Sequence, residues 1–172
     1  IKESNLNNCR LVSAVGSMGT YMGLFAGIKN ETLPINLTGI CISPKSDPAE
    51  IALNYYERIA KRFSLSYKAS RKDFLPSEDS LGLLTDYDRG AYNNPCEEVR
   101  KAMYYMAQKE AIILDPCYTG KAFAGLLEMV RSGRIKKGEK VIFLHTGGAP
   151  GINTPHHRIE IEKERDQFIH TL

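Results

Sequence analysis

Short apolar runs and amphipathic stretches alternate along the chain. Cys9–Val15 (CRLVSAV) is a mostly apolar run bounded by Asn8 and Gly16, the pattern of a buried strand. Tyr21–Ile28 carries apolar residues on most faces and predicts a buried helix, with Gly23 and Gly27 permitting close packing on a sheet. Ile35–Ile42 (INLTGICI) predicts a second strand. Asp47-Pro48 predicts a helix start, a capping Asp followed by Pro at the first helical position. That helix should run to about Phe63, with Ile51, Tyr55, Ile59 and Phe63 as its apolar stripe. Ser64–Leu84 is poorly patterned, and the expectation is a short helix or a weak strand around Ser77–Leu84.

The second half repeats the alternation. Asp86–Asn94 (DYDRGAYNN) is rich in turn residues. Asn94-Pro95 opens a helix whose first turn holds Glu97 and Glu98, favourable to its dipole, with Val99, Met103, Met106 and Ala107 as its inner face. Ala111–Leu114 predicts a strand. Lys121–Arg131 predicts a helix buried through Ala122, Phe123, Leu126, Leu127 and Val130. Val141–Leu144 predicts the last strand, and the mostly polar His156–Thr171 a final helix. Strands alternating with helices indicate an α/β fold, a mostly parallel sheet flanked by helices. The organisation expected is one domain over 1–155 and a C-terminal helical tail over 156–172.

Three loops leave the carboxyl ends of predicted strands, where parallel α/β sheets build ligand sites. They are Gly16–Thr20 (GSMGT), Asp115–Gly120 (DPCYTG) and His145–Gly148 (HTGG). GSMGT precedes a helix, so its N–H groups and the helix dipole suit an anion; it also reads as a plain tight turn. It matches neither the dinucleotide fingerprint nor the Walker loop. His145 reads as a structural histidine before a general base. Thr146 offers a neutral hydroxyl, either to an aromatic nitrogen or to the turn at Gly147-Gly148. Tyr92 and Tyr118 lie in loops and read as lid residues or as acid/base groups. Lys121 reads as structural or phosphate-facing, not as an imine lysine. Together the loops suggest one anionic, ring-bearing ligand.

Composition narrows the classes. The chain has 172 residues, 42% hydrophobic and 25% charged, as in a soluble single domain. A net charge of +3 argues for neither nucleic acid nor a membrane surface as partner, and the basic cluster Arg131–Lys140 reads as a solvated helix end. No apolar run is long enough to span a bilayer, and no signal-peptide pattern is present. Cys9, Cys41, Cys96 and Cys117 are widely spaced, so the expectation is reduced thiols, a cytoplasmic location and no metal. The opening IKESNLNN lacks an initiator Met, which suggests a piece of a longer protein.

GSMGT, GAYNNP, ILDPCYTGKAFAGL and GEKVIFLHTGG, in this order, resemble the 1-aminocyclopropane-1-carboxylate deaminase and D-cysteine desulfhydrase family. These are pyridoxal-phosphate enzymes related to tryptophan synthase β. The resemblance implies that 1–155 is the large cofactor domain of that fold. It implies that Gly16, Ser17, Met18, Gly19 and Thr20 bind the phosphate of pyridoxal 5'-phosphate. Val15 and Met18 stand where the family carries a threonine and a middle glycine, so the Met18 side chain is expected to narrow the site. Tyr92 and Tyr118 match the tyrosines that contact substrate or the reacting carbon. Thr119 stands where deaminases carry a glutamate facing the pyridine nitrogen. This resembles the desulfhydrase branch, where the HTGG threonine, here Thr146, approaches that nitrogen; Thr119 and Thr146 are both assigned to the cofactor site.

The family's cofactor-bonding lysine lies in an N-terminal segment, and the chain resembles only the C-terminal half. The implied function is the cofactor domain of a lyase that eliminates ammonia, and sulfide where present, from a small amino acid. The fragment alone is expected to be inactive. The implied partners are the amino-acid substrate and the missing N-terminal portion, with a homodimer left open. The alternative is a stand-alone α/β domain that binds a phosphate ligand or a partner chain.

Overall fold

The computed structural model describes residues 8–77 and 81–169. Its centre is β1 (Cys9–Val15), buried at every position. β1 pairs in parallel with β2 (Ile35–Cys41) on one side and with β4 (Lys140–Phe143) on the other. β3 (Gly82–Leu84) extends the sheet beyond β2, giving the parallel order β3-β2-β1-β4. The period of two along β1 divides the core. Leu11 and Val15 join a cluster with α1 (Gly19–Asn30) and α2 (Pro48–Phe63), while Val12 and Ala14 join one with α3 (Glu97–Glu110) and α4 (Thr119–Arg131). The mostly parallel sheet flanked by helices is thus present. Residues 78–80, part of the segment expected to be a helix or a weak strand, lie outside the described residues; the strand alternative is realised at β3. The final helix, α5 (Pro155–Ile169), falls in the predicted place, and the end of that prediction at Thr171 lies outside the described residues.

α2 starts as predicted, with Asp47 accepting the Glu50 N–H at 3.0 Å. Its buried face is not the predicted stripe. Ala49, Ala52 and Tyr56 are buried, whereas Ile51 is 44% and Phe63 65% exposed. Two alanines let the helix approach closely, and Tyr56 fixes its rotation. The Tyr56 ring meets Phe25 edge-on at 5.3 Å, and its hydroxyl donates to the Tyr67 carbonyl. On α3 the face turns similarly: Arg100 and Ala102 are buried beside Val99 and Met103, and Ala107 is exposed. On α4, Met129 is fully buried and Val130 is 51% exposed, because neighbouring helical positions lie about 100° apart.

Ala111–Leu114 forms no strand. α3 ends at Ala111 in the left-handed conformation (φ 56°), and the chain then runs without a ladder partner. Its polar groups find partners elsewhere. The Ile113 carbonyl accepts from His145 Nε2 at 2.9 Å, and the Asp115 N–H donates to Thr119 Oγ1 at 3.0 Å. Among the described residues, no helix is long and apolar enough to cross a membrane.

Candidate active site

The chain leaves β1 towards α1, while β4, on β1's other side, runs into the HTGG loop. The reversal of sheet order beside β1 opens a crevice at the carboxyl ends of the strands. A cavity of about 250 Å³ lies there, bordered by Gly16–Tyr21, Tyr118 and Thr146–Gly148. Gly16, Ser17, Met18, Gly19, Thr20, Tyr118 and Thr146 therefore share one space.

One wall is the start of α1. The N–H groups of Gly19, Thr20 and Tyr21 have no acceptor among the described residues; the next, that of Met22, bonds the Met18 carbonyl at 2.8 Å. No acidic residue lies in this first turn, and no side chain caps it. Three free donors and the positive end of the helix dipole make this wall an anion site. Met18 holds φ at 70°, a left-handed conformation that costs a residue with a Cβ about 1–2 kcal/mol. Its side chain is buried in the α1–α2 core cluster.

The second wall is the Tyr118 turn, built around Asp115. This carboxylate, 1% exposed, accepts the N–H groups of Cys117 (2.8 Å), Tyr118 (2.7 Å) and Thr119 (2.7 Å), and the Thr119 hydroxyl at 2.7 Å. Thr119 is fully buried in this arrangement and stands apart from the residues lining the cavity. The third wall touches the same carboxylate. A Cβ on Gly148 would lie 2.8 Å from Asp115 Cγ, and Gly148 has φ 96°, so both space and conformation require glycine. Likewise a Cβ on Gly16 would meet the Tyr118 ring at 2.8 Å. The three loops interlock around Tyr118.

His145 is exposed and pins its own turn. Its Nδ1 accepts the Gly147 N–H at 3.0 Å, so Nε2 carries the proton donated to the Ile113 carbonyl.

Tyr92 reaches the site from the rim. It is 56% exposed, and its hydroxyl lies 2.6 Å from that of Tyr118, with the rings edge-on at 5.8 Å. The hydrogen bond to Tyr118, with some desolvation, pushes the Tyr92 hydroxyl above its ordinary value. Tyr92 therefore keeps its proton and can offer it to Tyr118.

Lys121 is fully buried, and its Nζ donates to the carbonyls of Ile42 (2.9 Å), Asp88 (2.8 Å) and Ala91 (2.5 Å). Burial lowers its pKa. All three of its N–H bonds are committed to the main chain, so the structural reading of this lysine holds. It ties the end of β2 to the turn that carries Tyr92.

Asp115 and Asn93 were not among the sequence candidates. A signal existed for Asp115, because an Asp followed by three free N–H groups and a Thr suits an Asx-type turn. None existed for Asn93, whose partners His156 and His157 lie 63 and 64 positions away.

Known proteins resemble this chain in sequence and in fold. A protein of Pyrococcus abyssi (strain GE5 / Orsay) named "Putative 1-aminocyclopropane-1-carboxylate deaminase" is 35% identical over 153 residues, 88% of this chain and 43% of that protein. A solved structure described as "Crystal Structure Analysis of the ACC deaminase homologue" superposes with a TM-score of 0.77 at 30% identity, over 94% of this chain and 45% of that one. This chain thus spans less than half the length of either relative. The family described as "Pyridoxal-phosphate dependent enzyme" matches residues 4–147, which contain the first two cavity loops and the third as far as Gly147, and this chain belongs to that family.

Proposed function

We propose that the chain is the C-terminal cofactor domain of a pyridoxal-phosphate-dependent lyase. In this reading the enzyme eliminates ammonia, and sulfide where present, from a small amino acid in the cytoplasm, as a D-cysteine desulfhydrase does. The observation that carries the reading is the single cavity shared by the start of α1, Tyr118 and Thr146. Its walls fit the cofactor. Three N–H groups without acceptors suit a phosphate, and Thr146 suits a ring nitrogen with a neutral hydroxyl. The Thr119 hydroxyl donates to Asp115, which leaves Thr146 for that nitrogen and favours the desulfhydrase branch over the deaminase branch.

When bound, the cofactor supplies an electron sink that acidifies the α-carbon of an amino acid. The chain's own groups would then act in sequence. Gly19, Thr20 and Tyr21 hold the phosphate through their N–H groups. Tyr118 takes or returns a proton at its phenolic oxygen, beside the substrate. Tyr92 replenishes that proton along the 2.6 Å hydrogen bond. Lys121 is bound to three carbonyls and is not free to bond the cofactor; in this reading the lysine that does so lies in the proposed N-terminal portion.

The test compares this chain with the polypeptide carrying its proposed N-terminal portion. Each is supplied with pyridoxal 5'-phosphate and then with D-cysteine or 1-aminocyclopropane-1-carboxylate. Ammonia and sulfide from D-cysteine are expected from the longer polypeptide alone. Phe at Tyr118 or Tyr92 should lower its turnover roughly 10²–10⁴-fold with the bound cofactor's spectrum nearly intact. Turnover unaffected by both substitutions would remove the tyrosines from the reaction.

A further inference from the structure

Asn93, the residue after Tyr92, sits in the left-handed region (φ 55°). Its amide is held between two imidazoles from the first turn of α5. Asn93 Oδ1 is 2.8 Å from His157 Nε2, and Asn93 Nδ2 is 2.9 Å from His156 Nε2. An amide has one accepting end and one donating end, so one Nε2 must donate and the other must accept. His157 is the donor, to Oδ1. His156 is the acceptor, from Nδ2, and must be unprotonated at that nitrogen.

His157 is 1% exposed, and its buried Nδ1 has no partner among the described residues. A second proton there would leave a buried donor unsatisfied. Burial, aided by His156 and Arg100, lowers its pKa. The cationic groups acting on His157 are Arg100 of α3 and Lys121 of α4, and Arg100 is in turn paired with carboxylates of α5. Glu164 holds Arg100 at 2.7 Å, and Glu160 lies 3.9 Å from it. Tyr104 also donates to Glu164 at 2.6 Å, so α5 is fixed on α3 as well. None of α5 lies within the residues matched by the family, which end at 147.

We propose that α5 is a positioning strap for the Tyr92 turn: His156 and His157 clamp the Asn93 amide and so set the Tyr92 hydroxyl against Tyr118. The strap keeps the Tyr pair assembled. The catalytic meaning of the strap rests on the proposed role of Tyr92; its geometry does not.

The test places 3-fluorotyrosine at position 92 and reads its fluorine resonance in this chain, with no substrate. His156→Ala removes an exposed ring, so the fold should tolerate it; His157→Leu removes the donor; His157→Gln keeps one. The first two should shift and broaden the resonance, and His157→Gln should restore most of it. A resonance unchanged in His156→Ala, with its melting transition intact, overturns the strap even if His157→Leu does not fold. Turnover of the longer, cofactor-loaded polypeptide forms a second arm, where kcat should fall about tenfold in His156→Ala. A moved resonance with unchanged turnover supports the strap and overturns the role of Tyr92.

Discussion

Two turns bring the tyrosines of the cavity together, and they are held in opposite ways. The Tyr118 turn folds around its own Asp115, whose carboxylate gathers three N–H groups and a hydroxyl from the next four residues. The Tyr92 turn has two single local bonds, Gly90 N–H to Asp88 Oδ1 and Asn94 Nδ2 to the Arg89 carbonyl, but no carboxylate that gathers several groups. Its carbonyls at Asp88 and Ala91 are bound by Lys121, and its Asn93 by the histidines of α5, all between 30 and 64 positions away. One tyrosine is thus fixed by local sequence and the other by distant packing. A wall of the first kind should survive changes elsewhere, whereas one of the second kind should feel them.

The comparison is broken most sharply at Asp115. Asp115→Ala leaves two buried N–H groups and one partly buried without an acceptor and should cost about 3–5 kcal/mol in chemical denaturation. A loss below about 1 kcal/mol would mean that the turn is not centred on this carboxylate. Lys121→Met comes next, at about 2–3 kcal/mol, because it leaves three carbonyls unpaired. Its effect should be local. Amide exchange at Ala91–Asn93 should quicken while the Tyr118 turn stays protected; equal loosening of both would erase the distinction.

Glu164→Gln is the mildest, at about 1 kcal/mol, because the carboxylate is partly exposed. Burial alone would raise the Glu164 pKa, but hydrogen bonds from Arg100 and Tyr104 outweigh it and hold the carboxyl below its usual range. A depressed carboxylate stabilises the fold above its ordinary pKa, and that contribution is lost as pH falls through the folded value. The gap between native and Glu164→Gln melting temperatures should therefore narrow in acid. A gap that widens in acid would reverse the assigned sign.

The same division explains what the sequence disclosed. β1, β2 and the start of α2 follow from local signals, namely apolar runs and the Asp47-Pro48 cap. The loops after β1 and β4 follow from their place at strand ends, whereas the Tyr118 loop, which no strand precedes, follows from the family resemblance. The rotation of α2 did not follow, because a stripe of large residues, Ile51 to Phe63, outweighs Ala49 and Ala52 in any hydrophobicity pattern. Packing distance, not side-chain size, chose the buried face. Ala111–Leu114 has strand-like composition, but its Ile113 carbonyl pairs with His145 and not with a ladder. The contacts that place Tyr92 join residues far apart in sequence, and no periodicity reports them.

The cavity is taken to hold a phosphate at the start of α1, and Gly19 tests this directly. A Cβ there would meet nothing closer than the Tyr55 hydroxyl at 3.7 Å, so side chains fit and their charge decides the outcome. Pyridoxal 5'-phosphate is titrated into the chain and its phosphorus resonance followed in the native protein, Gly19→Ala and Gly19→Asp. The alanine variant should bind as the native protein does. The aspartate, a carboxylate among donors arranged for a phosphate, should weaken binding at least about tenfold. Equal binding by all three would contradict a phosphate site at this helix end.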